Sequence, residues 1–358
     1  MKKLFLSLIA VAVGTLSSFA QDDLVATLSH GSTLTTFTGA DAFSDAYTAA
    51  AEGDVVTLSP GVFNGVDIEK AITIRGAGMM PMESNGYVAT QITENIIINV
   101  PSNASSTLTI EGVQVLGTVN MWGDNLAPVV INKSRFESSV IGWGINMSAF
   151  SCVFCYGLTA QREGYLDGHN VHKNTTINCQ NSIIVEALSQ GNYSSMVAKI
   201  VATNCVVNNG YNNVPNSSFV NCVVTSCYNT GDFCLPESCI AMNCLGINSY
   251  GGTLDLFKNI INNTSNVMIE GTGETAYSNI FKTFKTMQTL PSVSLPITET
   301  FELTPTAAAT YLGDDGTQVG IYGGTNPFNP TPTNPQVKTF TVSSTTEGEQ
   351  LRVTINVE

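Results

Sequence analysis

Four triplets, Ile177-Asn178-Cys179, Thr203-Asn204-Cys205, Val220-Asn221-Cys222 and Met242-Asn243-Cys244, close short strand-like runs with the same Asn-Cys pair. Lys258-Asn259-Ile260 continues the series with Ile in place of Cys, and the successive Asn residues stand 26, 17, 22 and 16 apart. Helical repeats keep a stricter period, because each unit must pack the same pair of helices. A constant strand signature at irregular intervals points instead to a solenoid whose strands stack while its loops vary. Alternate side chains of a strand face opposite ways. Stacked coils therefore set each Cys above the last in an apolar column. The neighbouring Asn falls at a bend, where its amide is expected to bond to the copy one coil away. Such ladders satisfy turn groups that are costly to bury unpaired.

Outward from this stretch, earlier coils are legible in Ala71-Ile72-Thr73-Ile74, Ile96-Ile97-Ile98, Leu108-Thr109-Ile110 and Val129-Val130-Ile131-Asn132. With coils of ~20–25 residues, the stretch from about residue 55 to 300, within a β-helix body over 55–326, holds roughly ten to twelve of them. At an interstrand spacing of ~4.8 Å the stack is about 50–58 Å long. Composition agrees: only 12% of residues are charged, too few for a solvated helical protein. Small polar and β-branched residues suit an all-β chain with many turns.

A solenoid needs its ends covered, since bare ends expose core and strand edges. Within 21–54, Asp41 to Ala51 reads as a short capping helix with Phe43 and Tyr47 on one face, preceded by a strand. Gly53-Asp54-Val55-Val56-Thr57-Leu58-Ser59-Pro60-Gly61 follows. That combination resembles the opening of secreted right-handed parallel β-helix proteins of the pectin-lyase-like superfamily. Asp315-Gly316-Thr317-Gln318-Val319-Gly320-Ile321-Tyr322-Gly323-Gly324 resembles the closing segment common in such proteins of Bacteroidetes-type bacteria, which usually carry Asp where this chain has Gln318. The resemblance covers about 45 to 325 and implies a single-stranded right-handed parallel β-helix. It implies little about chemistry. A Pro-rich linker is expected over 327–335, with Pro330, Pro332 and Pro335, and a small C-terminal β-hairpin or tail over 336–358.

The first residues read as a secretory signal over 1–20: Lys2 and Lys3, an apolar run from Leu4, then small residues with cleavage after Ala20. No stretch reaches the roughly 20 apolar residues that a membrane-spanning helix requires. The expected location is extracellular or on the outer cell surface. The chain has 14 basic and 28 acidic residues, and loss of Lys2 and Lys3 leaves 12 − 28 = −16. Such a surface repels nucleic acid and anionic membranes. It also disfavours acidic polysaccharides unless a metal ion bridges the charges, so a neutral glycan or another surface component is the expected partner. No cofactor is implied, calcium has no dedicated signal, and oligomeric state is not encoded in any recognisable pattern. Nine cysteines leave at least one unpaired. Cys227, Cys234 and Cys239 are candidates for pairing. Cys152-x-x-Cys155 lacks the second pair of a zinc site and reads as core.

Trp122 and Trp143 are 21 residues apart, and Tyr165 lies 22 further on. One coil each would stack these rings into a row, against which the apolar faces of a sugar polymer can lie. Packing of a loop is the competing account. Beside the row stand Arg162, Glu163, Asp167, His169, His172 and Lys173. Of these, Arg162, Glu163, Asp167 and Lys173 are the candidates for acid–base work. The two His, three apart, would face opposite ways in a strand and make a poor metal pair. Lyases of the resembled superfamily use Arg or Lys with carboxylate-bound calcium, and its hydrolases use clustered Asp. Neither local motif occurs here, so no catalytic residue carries over. The leading expectation is a non-catalytic glycan-binding protein. The alternatives are a polysaccharide lyase or glycoside hydrolase, and a structural or adhesive rod.

Overall fold

A computed structural model of the chain describes residues 24–80, 89–123, 126–193, 195–208, 214–226, 235–248, 255–261, 263–269, 273–283, 295, 299–333, 337–347 and 350–357. The leader expected at 1–20, with its cleavage after Ala20, lies outside the described residues, as do Cys227 and Cys234.

The chain is mostly β and builds long parallel sheets. From Thr73 to Ser189 it visits three of them in rotation, first, second, third and first again. The coil before that, from Val55, has strands in the first two and touches the third only through the bridge of Ile68 to Ile98. Register partners in the first sheet, Leu108, Val129, Met147, Ile177 and Ile200, are 21, 18, 30 and 23 residues apart. The second sheet stacks ten described strands, about 43 Å at ~4.8 Å per step. Inward columns follow from alternation. Ile74, Ile110, Ile131, Ala149, Cys179 and Ala202 stack on the first sheet, and all are buried. On the second sheet Phe136 lies over Phe154 with ring centroids 5.3 Å apart.

The corner between first and second sheets carries the Asn signature. Lys133, Ser151, Asn181, Asn204, Asn221 and Asn243 all adopt positive φ, between 45° and 54°. Asn tolerates this left-handed conformation better than most residues. The residue that follows turns inward. Cys152, Cys205, Cys222 and Cys244 belong to the apolar core, with Ser134 and Ser182 buried at the equivalent places. Each bridges its own turn: Cys205 Sγ donates to Thr203 O at 3.2 Å, Cys222 Sγ to Val220 O at 3.2 Å, and Ser182 Oγ to Gln180 O at 2.8 Å.

Two members of the sequence series are corrected. Asn178-Cys179 lies within the strand Thr175–Gln180, with Asn178 opposite Val201 and Cys179 opposite Ala202. The ladder position in that coil belongs to Asn181-Ser182. Lys258-Asn259-Ile260 lies in a turn over 255–261, where Leu256, Phe257 and Ile260 join the end of the core. The amides also do not form the uninterrupted ladder that was expected. Asn243 Nδ2 reaches Asn221 Oδ1 at 3.5 Å, but the stronger bonds go elsewhere. Asn181 Nδ2 donates to Ile321 O at 2.9 Å and Gly323 O at 2.8 Å, and Asn221 Nδ2 to Asp314 Oδ1 at 2.8 Å.

Those partners belong to a strap that returns along the corner toward the N-terminal coils. Gly320 N donates to Asn221 O at 2.8 Å. Further along, Asn329 N donates to Ser151 Oγ at 3.3 Å and Thr333 N to Glu111 Oε1 at 3.0 Å. With the segments before it, the strap covers the outer face of the second sheet and makes a second apolar cluster. Val153, Ile183, Val206, Val223 and Leu245 face Tyr277, Phe281, Phe301, Val319 and Ile321. At the upper edge Arg135 is buried and donates to Leu295 O at 2.6 Å, with Glu137 as its ionic partner. Burial works to raise the Glu137 carboxyl, but hydrogen bonding and charge from Arg135 outweigh it and hold the group below its ordinary range.

At the N-terminal end, Val25–His30 pairs antiparallel with both Thr33–Thr38 and Val55–Leu58. The helix Ala42–Ala49 buries Ala42, Phe43 and Ala46. Lys70 Nζ closes its C-terminus, donating to Tyr47 O and Thr48 O at 3.0 Å and Ala50 O at 2.8 Å, as a cation favours the negative end of the helix dipole. Val337–Glu347 and Gln350–Val357 form an antiparallel hairpin.

Candidate functional site

The coil of 30 residues is long because it extrudes a hairpin between the third and first sheets. Glu163–Leu166 pairs antiparallel with His169–His172, and Leu166 and His169 close the ladder. The two-residue loop has Asp167 at φ 50° and Gly168 at φ 81°. Both central residues with positive φ make the type I′ turn that suits strand twist, and Asp-Gly is a preferred pair for it. Turn geometry thus accounts for Asp167 without catalysis.

The hairpin base is pinned to the body. Trp143 is fully buried, and its indole N–H donates to Arg162 O at 3.1 Å. Gly164 presses on the same ring, where an added Cβ would lie 2.4 Å from Cε2, so no side chain fits. Lys173 Nζ sits 4.4 Å from the Trp143 ring centroid and donates to Gly123 O at 3.0 Å, which combines cation–π attraction with a hydrogen bond. Arg162 N and Glu163 N both donate to Gln190 Oε1 at 2.9 Å, and the Arg162 guanidinium donates to Gln190 O.

The expected row of three rings resolves into a stacked pair and a separate ring. Trp122 and Trp143 stack with centroids 4.6 Å apart. The in-register partner of Trp143 one coil on is Gln161, not Tyr165. Trp143, covered on both faces, has none to offer a ligand. Trp122 is half-buried, while Tyr165 stands on the hairpin 63% exposed. Of the titratable candidates, Arg162 and Lys173 are engaged at the hairpin base. Glu163 is exposed opposite His172, and Asp167 and His169 are exposed at the tip. In the antiparallel ladder His169 and His172 point to opposite faces.

Among the described residues no group of three or more His, Cys, Asp or Glu could hold a metal ion. Cys152 and Cys155 point into different apolar clusters. Both are free thiols, pushed up to about 12 chiefly by burial. Cys239 is also free, and its Sγ donates to Val214 O at 2.9 Å.

Sequence reasoning did not find the groove beside the hairpin, lined by Thr159, Arg162, Leu188, Gln190, Pro215 and Pro236. Gln190 is its organising residue, and no local signal marks it: it meets Arg162 only because the coils stack. What this surface offers is an exposed ring, a shallow floor with apolar and hydroxyl groups, and fixed amide and guanidinium groups. Among the described residues no helix is long and apolar enough to cross a membrane. No family model, curated protein or solved structure matches this chain.

Proposed function

We propose that the protein is a secreted right-handed parallel β-helix of the pectin-lyase-like kind, and that it binds a neutral glycan on the cell surface without cleaving it. One observation carries the reading: a type I′ hairpin, fixed at its base by Trp143 and Lys173, holds Tyr165 in solvent, and Arg162 at that base lines a groove. An exposed aromatic ring costs hydration free energy unless something covers it, and the apolar face of a pyranose fits a flat ring. Pre-organisation lowers the ordering cost of binding. The acidic chain, formally −14, favours an uncharged ligand. Arg162 and Lys173 serve the hairpin's anchoring, while Glu163, Asp167 and His169 stand exposed along it, which supports binding over turnover.

The test is native affinity electrophoresis of the protein through gels containing neutral or acidic polysaccharides, with analysis of any new chain ends. Retardation by a neutral polymer is expected. Tyr165→Ala should weaken it about tenfold, ~1.4 kcal/mol, without changing the circular-dichroism melt. Undiminished retardation of that variant, or new chain ends, would overturn the reading.

A further inference from the structure

The strap does not lie flush along the whole corner. Between it and the solenoid a groove of about 640 Å³ opens, walled by Lys133, Phe150 and Gln180 on one side and by Thr325, Asn326 and Asn329 on the other. That volume is in the range of small-molecule sites. The walls are held by backbone geometry. Lys133 N donates to Phe150 O at 2.8 Å, Ser151 N to Gln180 O at 3.1 Å, and Asn329 N to Ser151 Oγ at 3.3 Å. Phe150 is the exposed ring of its column. Its register neighbours are Asn132 and Gln180, and its ring is 40% exposed between these two polar residues, while further along the same column come Thr203, Val220 and the exposed Met242.

We propose that this groove is a second binding site, taking one neutral sugar unit with its apolar face on Phe150 and its hydroxyls on the amides of Gln180, Asn326 and Asn329. Amides both donate and accept, which matches hydroxyl groups, whereas a carboxylate asks for donors alone. Three amides against the single ammonium of Lys133 therefore favour an uncharged ring. The strand Asn146–Phe150 runs from the hairpin side of the first sheet to this groove, about 13 Å over its five residues. Ahead of Phe150 its outward side carries Asn146 and Ser148, and Asn178 Nδ2 donates to Asn146 Oδ1 at 3.3 Å. A glycan lying along that face would run from the hairpin side toward this groove.

The inference rests on the reading that the protein binds glycan, but not on Tyr165. Calorimetric titration of the full protein with neutral glucan, xylan and mannan hexamers and with oligogalacturonate tests it. A neutral hexamer should bind, with Phe150→Ala weakening it at least tenfold and Phe150→Tyr restoring it. Asn326→Ala, on the strap and outside the coils, should lose several-fold with an unchanged melt. Wild-type affinity in Phe150→Ala overturns the inference, as does preference for oligogalacturonate that Lys133→Ala abolishes. Loss in Phe150→Ala but not in Tyr165→Ala upholds this groove against the hairpin site, and the converse upholds the hairpin alone. Failure of the wild type to bind any hexamer overturns both.

Discussion

At the scale of single residues, the corner ladder separates two duties of Asn that sequence alone merges. One is to adopt positive φ, which Asn181, Asn204, Asn221 and Asn243 all do. The other is to hold the strap, and here they differ. Asn221 donates to Asp314 Oδ1 at 2.8 Å and accepts from Asp314 N at 3.3 Å, while the buried Oδ1 of Asn204 has no hydrogen-bond partner. Glycine supplies the conformation at either site but not the bonds. Asn221→Gly should therefore cost about 1–2 kcal/mol more than Asn204→Gly, since losing an orphaned acceptor costs little. Urea midpoints decide it, and equal losses would show that conformation alone matters. The Asn-Cys pattern was legible where Cys follows the turn. In the coil of Asn181 it was not, because Ser182 does the work of Cys and a decoy, Asn178-Cys179, sits three residues earlier.

At the scale of elements, the second sheet shows a signal that the sequence held and the repeat argument passed over. Its strands carry apolar doublets, Ile183-Ile184, Val206-Val207 and Val223-Val224. Strict alternation marks a strand with one wet face, whereas a doublet marks one covered on both. The cover itself was not legible, since Val319 and Ile321 arrive from about a hundred residues downstream and only the folded chain brings them over Val206 and Val223. Chain ending at Tyr311 should thus expose that face. Each side chain lost, Val319 and Ile321 among them, contributes about 1.5–3 kcal/mol of burial. The truncated protein should associate on size-exclusion chromatography and bind a hydrophobic dye. A monomer with the full-length melting temperature would show that the cover is dispensable. The hairpin at Asp167-Gly168 shows the opposite case: its titratable residues made it a candidate for chemistry, and turn stereochemistry gives one of them, Asp167, a structural role.

At the scale of the whole molecule, low charge and stacked coils were legible together, and the free thiols give them a measurable consequence. Burial pushes Cys152, Cys155 and Cys239 up to about 12. Unfolded thiols release their protons near 8.5–9, so above that pH the folded state holds more protons than the unfolded one and stability falls with rising pH. Below pH 8 the thiols are neutral in both states and contribute no slope. The loss is about 1.4 kcal/mol per thiol per pH unit between the two values. Melting curves at pH 7.5 and 10 should differ sharply, and less so when these three cysteines are replaced by Ala. An identical drop in that variant would assign the effect to other groups. The strap, finally, is a gauge. An open solenoid gains or loses coils without consulting its ends. Here anchors at Asn221, Ser151 and Glu111 meet Asp314, Asn329 and Thr333 in turn. One coil added between Ser151 and Glu111 would part those marks by ~4.8 Å, more than a residue of extended chain spans. A change in coil number therefore calls for a matching change in strap length, and a duplication in either alone sets these anchors out of step.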